Sequence, residues 1–119
     1  MSLSDDPLSF SVSQGPGYVV ISVAGELDAS TEREFRDALT SVLAPGALRV
    51  VVDLAGVTFM ASAGIGVLMG MRRVLSDEGG SLALASPRGE VAQVLKLTGV
   101  SEVIPVAATV ADAVARLDS

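Results

Sequence analysis

The stretch LRVVVDLAGVTFMASAGIGVLMGMRR, residues 48–73, contains the change of pattern that decides the fold. Residues 48–56 are an almost unbroken run of aliphatic side chains, typical of a central strand covered on both faces. Residues 57–59 still favour a strand, and a helix is predicted from there to about Asp77. Residues 54–71 carry no charge, but their Gly, Ala, Ser and Thr content favours a buried strand, a turn and a helix over a membrane span.

Upstream of this stretch the pattern predicts two strands and a helix. Residues 8–14 alternate apolar and polar side chains, and residues 18–27 form a second strand-like run. The turn residues Gly15, Pro16 and Gly17 between them indicate a hairpin. TERE at 31–34 has the spacing of a capping box and opens an amphipathic helix.

Downstream, strands and helices continue to alternate. Residues 79–86 predict a turn and a short strand, and residues 86–99 predict a helix with Ser86 as N-cap, Pro87 at its first position and Gly99 at its end. Residues 103–106 predict an edge strand, and residues 109–117 a last helix that starts on a Thr.

The resulting order is β-β-α-β-α-β-α-β-α. This order predicts an α/β fold with a mixed, largely parallel sheet of four to five strands and about four helices. The 119 residues fit one domain, 1–119, with its core over about 8–117.

Composition excludes several classes of function. The net charge of −6 argues against contact with nucleic acid, since phosphate backbones need cations. The chain has no Cys and no His, which removes the commonest general base, thiol chemistry and the usual zinc sites. We therefore expect no enzyme activity, no cofactor and no metal. The first ten residues lack a basic region, so we expect no signal peptide, no membrane attachment and a cytoplasmic protein.

Ser62 follows the central strand and precedes the helix. One interpretation is an N-cap, worth about 1 kcal/mol. The other is a phosphorylation site, because a phosphate of charge about −2 is favoured by the positive end of a helix dipole.

The helix behind Ser62 is apolar around nearly its whole circumference, through Ile65, Val67, Leu68, Met69, Met71, Val74 and Leu75. The apolar side chains that do not face the sheet are either covered by neighbouring helices or exposed to a partner. Gly64, Gly66 and Gly70 have no side chains, so another backbone could approach the helix closely at these positions. As a phosphate-binding loop, GIG at 64–66 is weak because it lacks the third Gly and a following Lys.

Two acids stand near predicted strand ends. Asp28 lies in GELDAST, residues 25–31, and is interpreted first as a turn or capping residue. Asp53 lies inside the central run and is interpreted as a hydrogen-bonding residue at a strand end. Without His, Cys or a nearby Lys, neither acid indicates a substrate.

Three segments together resemble one known family: GELDAST, then VVVDLAGVTFMASAGIGVL, then GGSLALASPRGEVAQVLKLTGV. They are similar, in this order and over about residues 8–117, to the anti-sigma factor antagonists, which are single-domain STAS proteins. In that family the turn before the helix usually reads Phe-(Ile/Met)-Asp-Ser-(Ser/Ala)-Gly-(Leu/Ile)-Gly, and its Ser is phosphorylated. Residues 59–66 match this turn, with Ser62 on the phosphorylated position and Ala61 in place of the usual Asp.

The resemblance implies a function through partner exchange. The unphosphorylated antagonist binds an anti-sigma factor and frees a sigma factor; the anti-sigma factor, often a serine kinase, phosphorylates the antagonist, and a serine phosphatase resets it. Asp28 matches a family acid near the phosphorylated Ser. The predicted partner-binding residues are Asp28, Ala61, Ser62, Ala63, Gly64, Ile65, Gly66, Val67, Met69 and Gly70, on a monomer or weak dimer.

Two alternatives accompany this prediction. Because Ala61 replaces the family acid, three outcomes are open: a kinase that tolerates Ala, a constitutive binder that is never phosphorylated, or an Ala introduced in place of the natural residue. A function of another class would be an accessory or ligand-binding STAS module of a lipid- or anion-transport system.

Overall fold

A computed structural model describes residues 8–43 and 46–117. In chain order the described elements are β1 Leu8–Gly15, β2 Tyr18–Leu27, α1 Glu32–Leu43, β3 Arg49–Met60, α2 Ser62–Asp77, β4 Ser81–Ala85, α3 Gly89–Leu97, α4 Val100–Val103, β5 Val106–Ala107 and α5 Val110–Arg116.

The five strands form one sheet in the order β1-β2-β3-β4-β5. β1 and β2 pair antiparallel across the predicted hairpin, and Gly17 in its turn has a φ of 79°. β2, β3, β4 and β5 run parallel to one another. Strands β2, β3 and β4 therefore end at one edge of the sheet, and that edge carries the loops before α1 and α2.

The sheet separates two apolar layers. On one face, side chains of β2, β3 and β4 pack against α1, α2 and α3, with Phe35, Leu68 and Leu95 fully buried. On the other face Val20, Val51 and Ala83 pack against α5. The alternation of Val50, Val51 and Val52 between the faces is the covering of β3 on both sides that its sequence predicts.

Asp53 stabilises an irregularity in β3. The β2–β3 register shifts between Ser22 and Ala24, so β3 gains an extra residue there. The Asp53 carboxylate accepts hydrogen bonds from the Ala55 N–H (3.1 Å) and from the Ser22 hydroxyl (3.2 Å). Asp53 is thus a hydrogen-bonding residue, as predicted, but it lies within β3 and not at a strand end, because β3 continues to Met60.

Two capping predictions are wrong. α3 does not begin at Pro87: Ser86 has a φ of 59°, and the N-cap is Arg88. At 31–34 the Thr31 hydroxyl does not form the capping box, because it accepts from the Asp28 N–H and donates to the Glu26 carbonyl in the preceding loop. The cap of α5 is confirmed, since Thr109 Oγ1 accepts from the Asp112 N–H.

The edge strand after α3 is displaced from its predicted position, 103–106. Gly99, with a φ of 83°, ends α3 as predicted, but residues 100–103 then form the short helix α4. Pro105 has no N–H to donate to a sheet, and its carbonyl accepts from the Leu84 N–H at 2.8 Å. The strand therefore consists of Val106 and Ala107 alone.

The predicted fold class is confirmed: a mixed, largely parallel five-stranded sheet with helices on both faces, α4 being the helix beyond the four predicted. The uncharged run 54–71 is divided between β3 and α2. None of the described helices is long and apolar enough to cross a membrane. The first seven residues, where we expected no signal peptide, lie outside the described part.

Candidate functional site

Ser62 is the first residue of α2 and is exposed. The N-cap is Ala61, whose φ of −101° and ψ of 176° are extended and whose methyl side chain cannot accept a hydrogen bond. The interpretation of Ser62 as the N-cap is therefore wrong. Its hydroxyl is not engaged in capping the helix.

A backbone hydrogen bond attaches the N-cap of α2 to the end of β2. The Ala61 N–H donates to the Leu27 carbonyl at 2.8 Å, and Leu27 pairs with Met60 in the parallel register. Asp28 follows Leu27, the last residue of β2, and Ala61 follows Met60, the last residue of β3. The topology thus brings Asp28 and Ser62 to the same edge of the sheet.

Asp28 is held by its own loop. Its Oδ1 accepts from the Ser30 hydroxyl (2.7 Å), the Ser30 N–H (2.9 Å) and the Thr31 N–H (3.2 Å). The Ser30 hydroxyl contributes most to lowering the pKa of the Asp28 carboxyl below its ordinary value of 3.8, and desolvation opposes this shift. Asp28 is therefore a fixed negative charge at neutral pH.

Thr31 makes this loop rigid. It is the buried polar residue of the described chain, 1% exposed, and its hydroxyl links the Asp28 N–H (3.0 Å) to the Glu26 carbonyl (2.8 Å). Ser30 and Thr31 hold the Asp28 carboxylate in the loop after β2, at the edge of the sheet where α2 also begins. The sequence prediction had assigned the Thr31 hydroxyl to the helix, so it missed this role.

The outward side of α2 is flat. Ser62, Gly66 and Gly70 are exposed at intervals of four residues, and Met69 is half-buried between them. A Cβ built on Gly66 or on Gly70 would meet nothing within 4 Å beyond its own helix. Nothing in the described fold requires glycine at these two positions, and both leave the α2 backbone accessible.

Two of the predicted partner-binding residues lie in the core. A Cβ on Gly64 would come within 2.9 Å of the Leu27 Cβ, and Val67 is 5% exposed. Gly64 lets α2 approach the end of β2, and Val67 packs under the helix. Both residues are buried and inaccessible to a partner, so the prediction for these two residues is corrected.

Phe59 was missed by the sequence prediction. It lies near the end of β3, two residues before the N-cap of α2, and its side chain is 48% exposed. The sequence signal that could have identified Phe59 is an aromatic residue three positions before Ser62, in a chain with only three Phe. We define the candidate surface as Asp28, Phe59, Ala61, Ser62, Ala63, Ile65, Gly66, Met69 and Gly70.

The GIG segment is not a phosphate-binding loop. The N–H groups of Gly64 and Ile65 both donate to the Ala61 carbonyl, at 3.0 and 3.3 Å, and all three residues of the segment are helical. Over the ranges 8–43 and 46–117, no three acidic side chains gather where they could hold a metal ion.

Replacing the N-cap tests the geometry at Ala61. We expect Ala61→Ser to raise the free energy of unfolding by about 1 kcal/mol, because the hydroxyl would accept from a free N–H of the first turn. Urea unfolding followed by circular dichroism measures the change. Ala63→Ser, inside the first turn, is the matched control. An equal effect of both variants would show that Ala61 is not the cap.

Known proteins resemble this chain in sequence and in fold. A model of the STAS domain family matches residues 9–113. An anti-sigma-B factor antagonist of Bacillus subtilis (strain 168) is 28% identical over 102 residues, covering 85% of this chain and 92% of that protein. The crystal structure of an anti-sigma factor antagonist from Mycobacterium paratuberculosis has a TM-score of 0.85 and 28% identity, covering 98% of both chains.

A second similar structure is the Bacillus cell fate determinant SpoIIAA in its phosphorylated form. It has a TM-score of 0.67 and 25% identity, and the match covers 91% of this chain and 98% of that chain. The family model spans most of the sequence, which confirms the resemblance seen in its motifs. The chain belongs to the STAS domain family.

Proposed function

We propose that this protein is an anti-sigma factor antagonist, which binds an anti-sigma factor through the candidate surface and is released when Ser62 is phosphorylated. Its similarity to proteins named anti-sigma-B factor antagonist and anti-sigma factor antagonist supports the class of partner. The position of Ser62 supports the switch. The sigma factor is then freed by exchange of partners, without contact between this protein and DNA.

The observation that carries the proposal is the exposed Ser62 hydroxyl at the first position of a 16-residue helix. A kinase can reach this hydroxyl without unfolding the chain. Once attached, a phosphate lies at the positive end of the α2 dipole, beside N–H groups that have no partner within the helix. The fold therefore accommodates the modification.

Binding uses the unphosphorylated state. The candidate surface combines apolar side chains, Phe59, Ile65 and Met69, with the open backbone at Gly66 and Gly70. An element of the anti-sigma factor can pack closely on this part of α2, because no side chain stands above the two glycines. Apolar contact and close approach together supply the affinity.

Release follows from charge. Phosphorylation adds about −2 to a surface whose binding requires desolvation, and burying such an ion without a partner costs several kcal/mol. Asp28 strengthens the effect, because its lowered pKa keeps a negative charge at the same edge of the sheet. Two neighbouring anionic groups then oppose the return of the partner.

Asp28 also has a role before phosphorylation. Its carboxylate is held by Ser30 and Thr31 and is ionised at neutral pH. With Ala61 in place of the usual family Asp, Asp28 provides the acid next to Ser62. We propose that it orients a hydrogen-bond donor of the kinase toward this edge.

The experiment that tests the proposal is a phosphorylation assay with an anti-sigma factor that has serine kinase activity. The protein is incubated with that factor and ATP, and peptides are mapped by mass spectrometry. We expect one phosphate, on Ser62, none in Ser62→Ala, and its removal by a serine phosphatase. Ser76, exposed near the other end of α2, serves as the internal control serine.

Three results would overturn parts of the proposal. Phosphate on another residue, with Ser62 unmodified, would remove the switch at this position. Stable binding to the anti-sigma factor without any phosphorylation would identify a constitutive binder. No binding to any anti-sigma factor would favour the accessory module of a transport system.

A further inference from the structure

β1 is an unprotected edge of the sheet. It pairs with β2 on one side over all eight residues without a register shift, and no other described strand pairs with it. The hairpin 8–17 contains no charged residue, and no proline interrupts the strand 8–15. Ser9, Ser11, Val12, Ser13 and Gln14 are exposed. Long, flat, uncharged edges present free N–H and C=O groups to another strand.

The opposite edge of the same sheet is protected. β5 has only two residues and follows Pro105. The Arg116 Nη1 donates to the Val106 carbonyl at 3.2 Å, so a side chain occupies part of that edge. Shortness, proline and a basic side chain are the usual devices against edge pairing. The described part of β1 has none of them.

Charge indicates what pairs with β1. Two copies of a chain with net charge −6 repel one another over most of their surfaces. An uncharged strand is the place where this repulsion is least. A strand edge is also self-complementary, because two copies related by a twofold axis pair antiparallel.

We propose that the outer edge of β1 is a self-association surface, on which β1 of a second copy of this chain pairs antiparallel to give a continuous ten-stranded sheet. Directly opposed residues in an antiparallel pair share a face, so their numbers sum to an even value. Serines of one copy then lie opposite serines of the other. Phe10 and Val12 of one copy likewise lie opposite Phe10 and Val12 of the other. Val12, 54% exposed in one copy, becomes covered.

The dimer should be weak. Pairing of one eight-residue strand buries less than the roughly 1,200 Å² of a stable interface, so we expect a dissociation constant of roughly 10–100 µM. None of the residues of the candidate surface belongs to β1. The pairing therefore does not depend on the proposed function, and either can fail without the other.

Sedimentation velocity over about 5–500 µM tests the proposal on the whole chain. The test variant is Val12→Lys, and the matched control is Val74→Lys on α2, since the two valines are 54% and 50% exposed. Both variants have a net charge of −5, one unit less negative than −6. We expect the wild type and Val74→Lys to dimerise, and Val12→Lys to require at least about tenfold higher concentration.

Amide hydrogen exchange by NMR locates the contact. We expect exchange at alternate residues of β1 to slow as protein concentration rises. The proposal is overturned if the protein is a monomer at all concentrations. This includes a monomer whose β1 amides are already protected from exchange, because the chain would then cover its own edge. It is also overturned if both Lys variants dimerise equally, or if the slowed amides lie outside β1.

Discussion

Ser62→Asp is expected to weaken binding to the anti-sigma factor by about 100-fold or more, whereas Ser62→Ala keeps wild-type affinity. The aspartate places a charge on a surface that must lose water on binding, and such a buried ion costs several kcal/mol if it is unpaired. Asp28 nearby is already ionised and adds repulsion. Isothermal titration calorimetry with the purified anti-sigma factor, at about 0.15 M salt, measures the difference.

Stability distinguishes this effect from damage to the fold. An acid in the first turn of a helix is favoured by the dipole, so Ser62→Asp should leave the melting temperature unchanged or slightly raised. Ser76→Asp is the matched control, the same substitution on the same helix about 21 Å along its axis. If Ser62→Asp and Ser76→Asp bind with the same affinity as wild type, electrostatic release at Ser62 is wrong.

Local sequence signals predicted the elements that place the site. The β2 bounds 18–27, the end of α2 at Asp77 and the Thr109 cap follow from turn residues, periodicity and capping, which act within a few residues. The parallel order then brings Asp28 and Ser62 to one edge. The family motif pointed to the same two residues before any geometry was known.

The remaining details depend on tertiary packing. A helical wheel shows that α2 is apolar on many sides but not which side faces the sheet, so Gly64 and Val67 could not be separated from Gly66 and Gly70. Ser86 carries the hydroxyl of an N-cap, yet its φ of 59° delays α3 to Gly89. The Thr31 hydroxyl could bond to the first turn of α1 or to the backbone before it. It bonds to the backbone before it, at Asp28 and Glu26.

Gly66 and Gly70 are unfavourable residues for the exposed face of a helix, away from its ends. Glycine costs about 0.5–1 kcal/mol relative to alanine there, through the entropy lost on folding. At Gly64 the contact with Leu27 explains the residue. At Gly66 and Gly70 a Cβ would enter open space, so no contact within the described fold explains them. Under the proposed function, the two glycines keep the α2 backbone accessible to the anti-sigma factor.

Gly66→Leu separates stability from binding. We expect the free energy of unfolding to rise by about 0.5–1 kcal/mol, because leucine is a better helix former and its Cβ would meet no neighbouring atom within 4 Å. We expect affinity for the anti-sigma factor to fall by about 10- to 100-fold, since the new side chain prevents close approach and overpacking costs about 1–3 kcal/mol. Calorimetric titration and urea unfolding give the two values.

Ser76→Leu is the matched control for Gly66→Leu, because it adds the same side chain at an exposed position near the other end of α2. It should leave affinity unchanged. A Gly66→Leu variant that is more stable and binds like wild type would show that no partner packs on this face, even if Ser62 is phosphorylated. A variant that is more stable and binds poorly would mean that Gly66 lowers the stability of α2 to keep its backbone accessible to the anti-sigma factor.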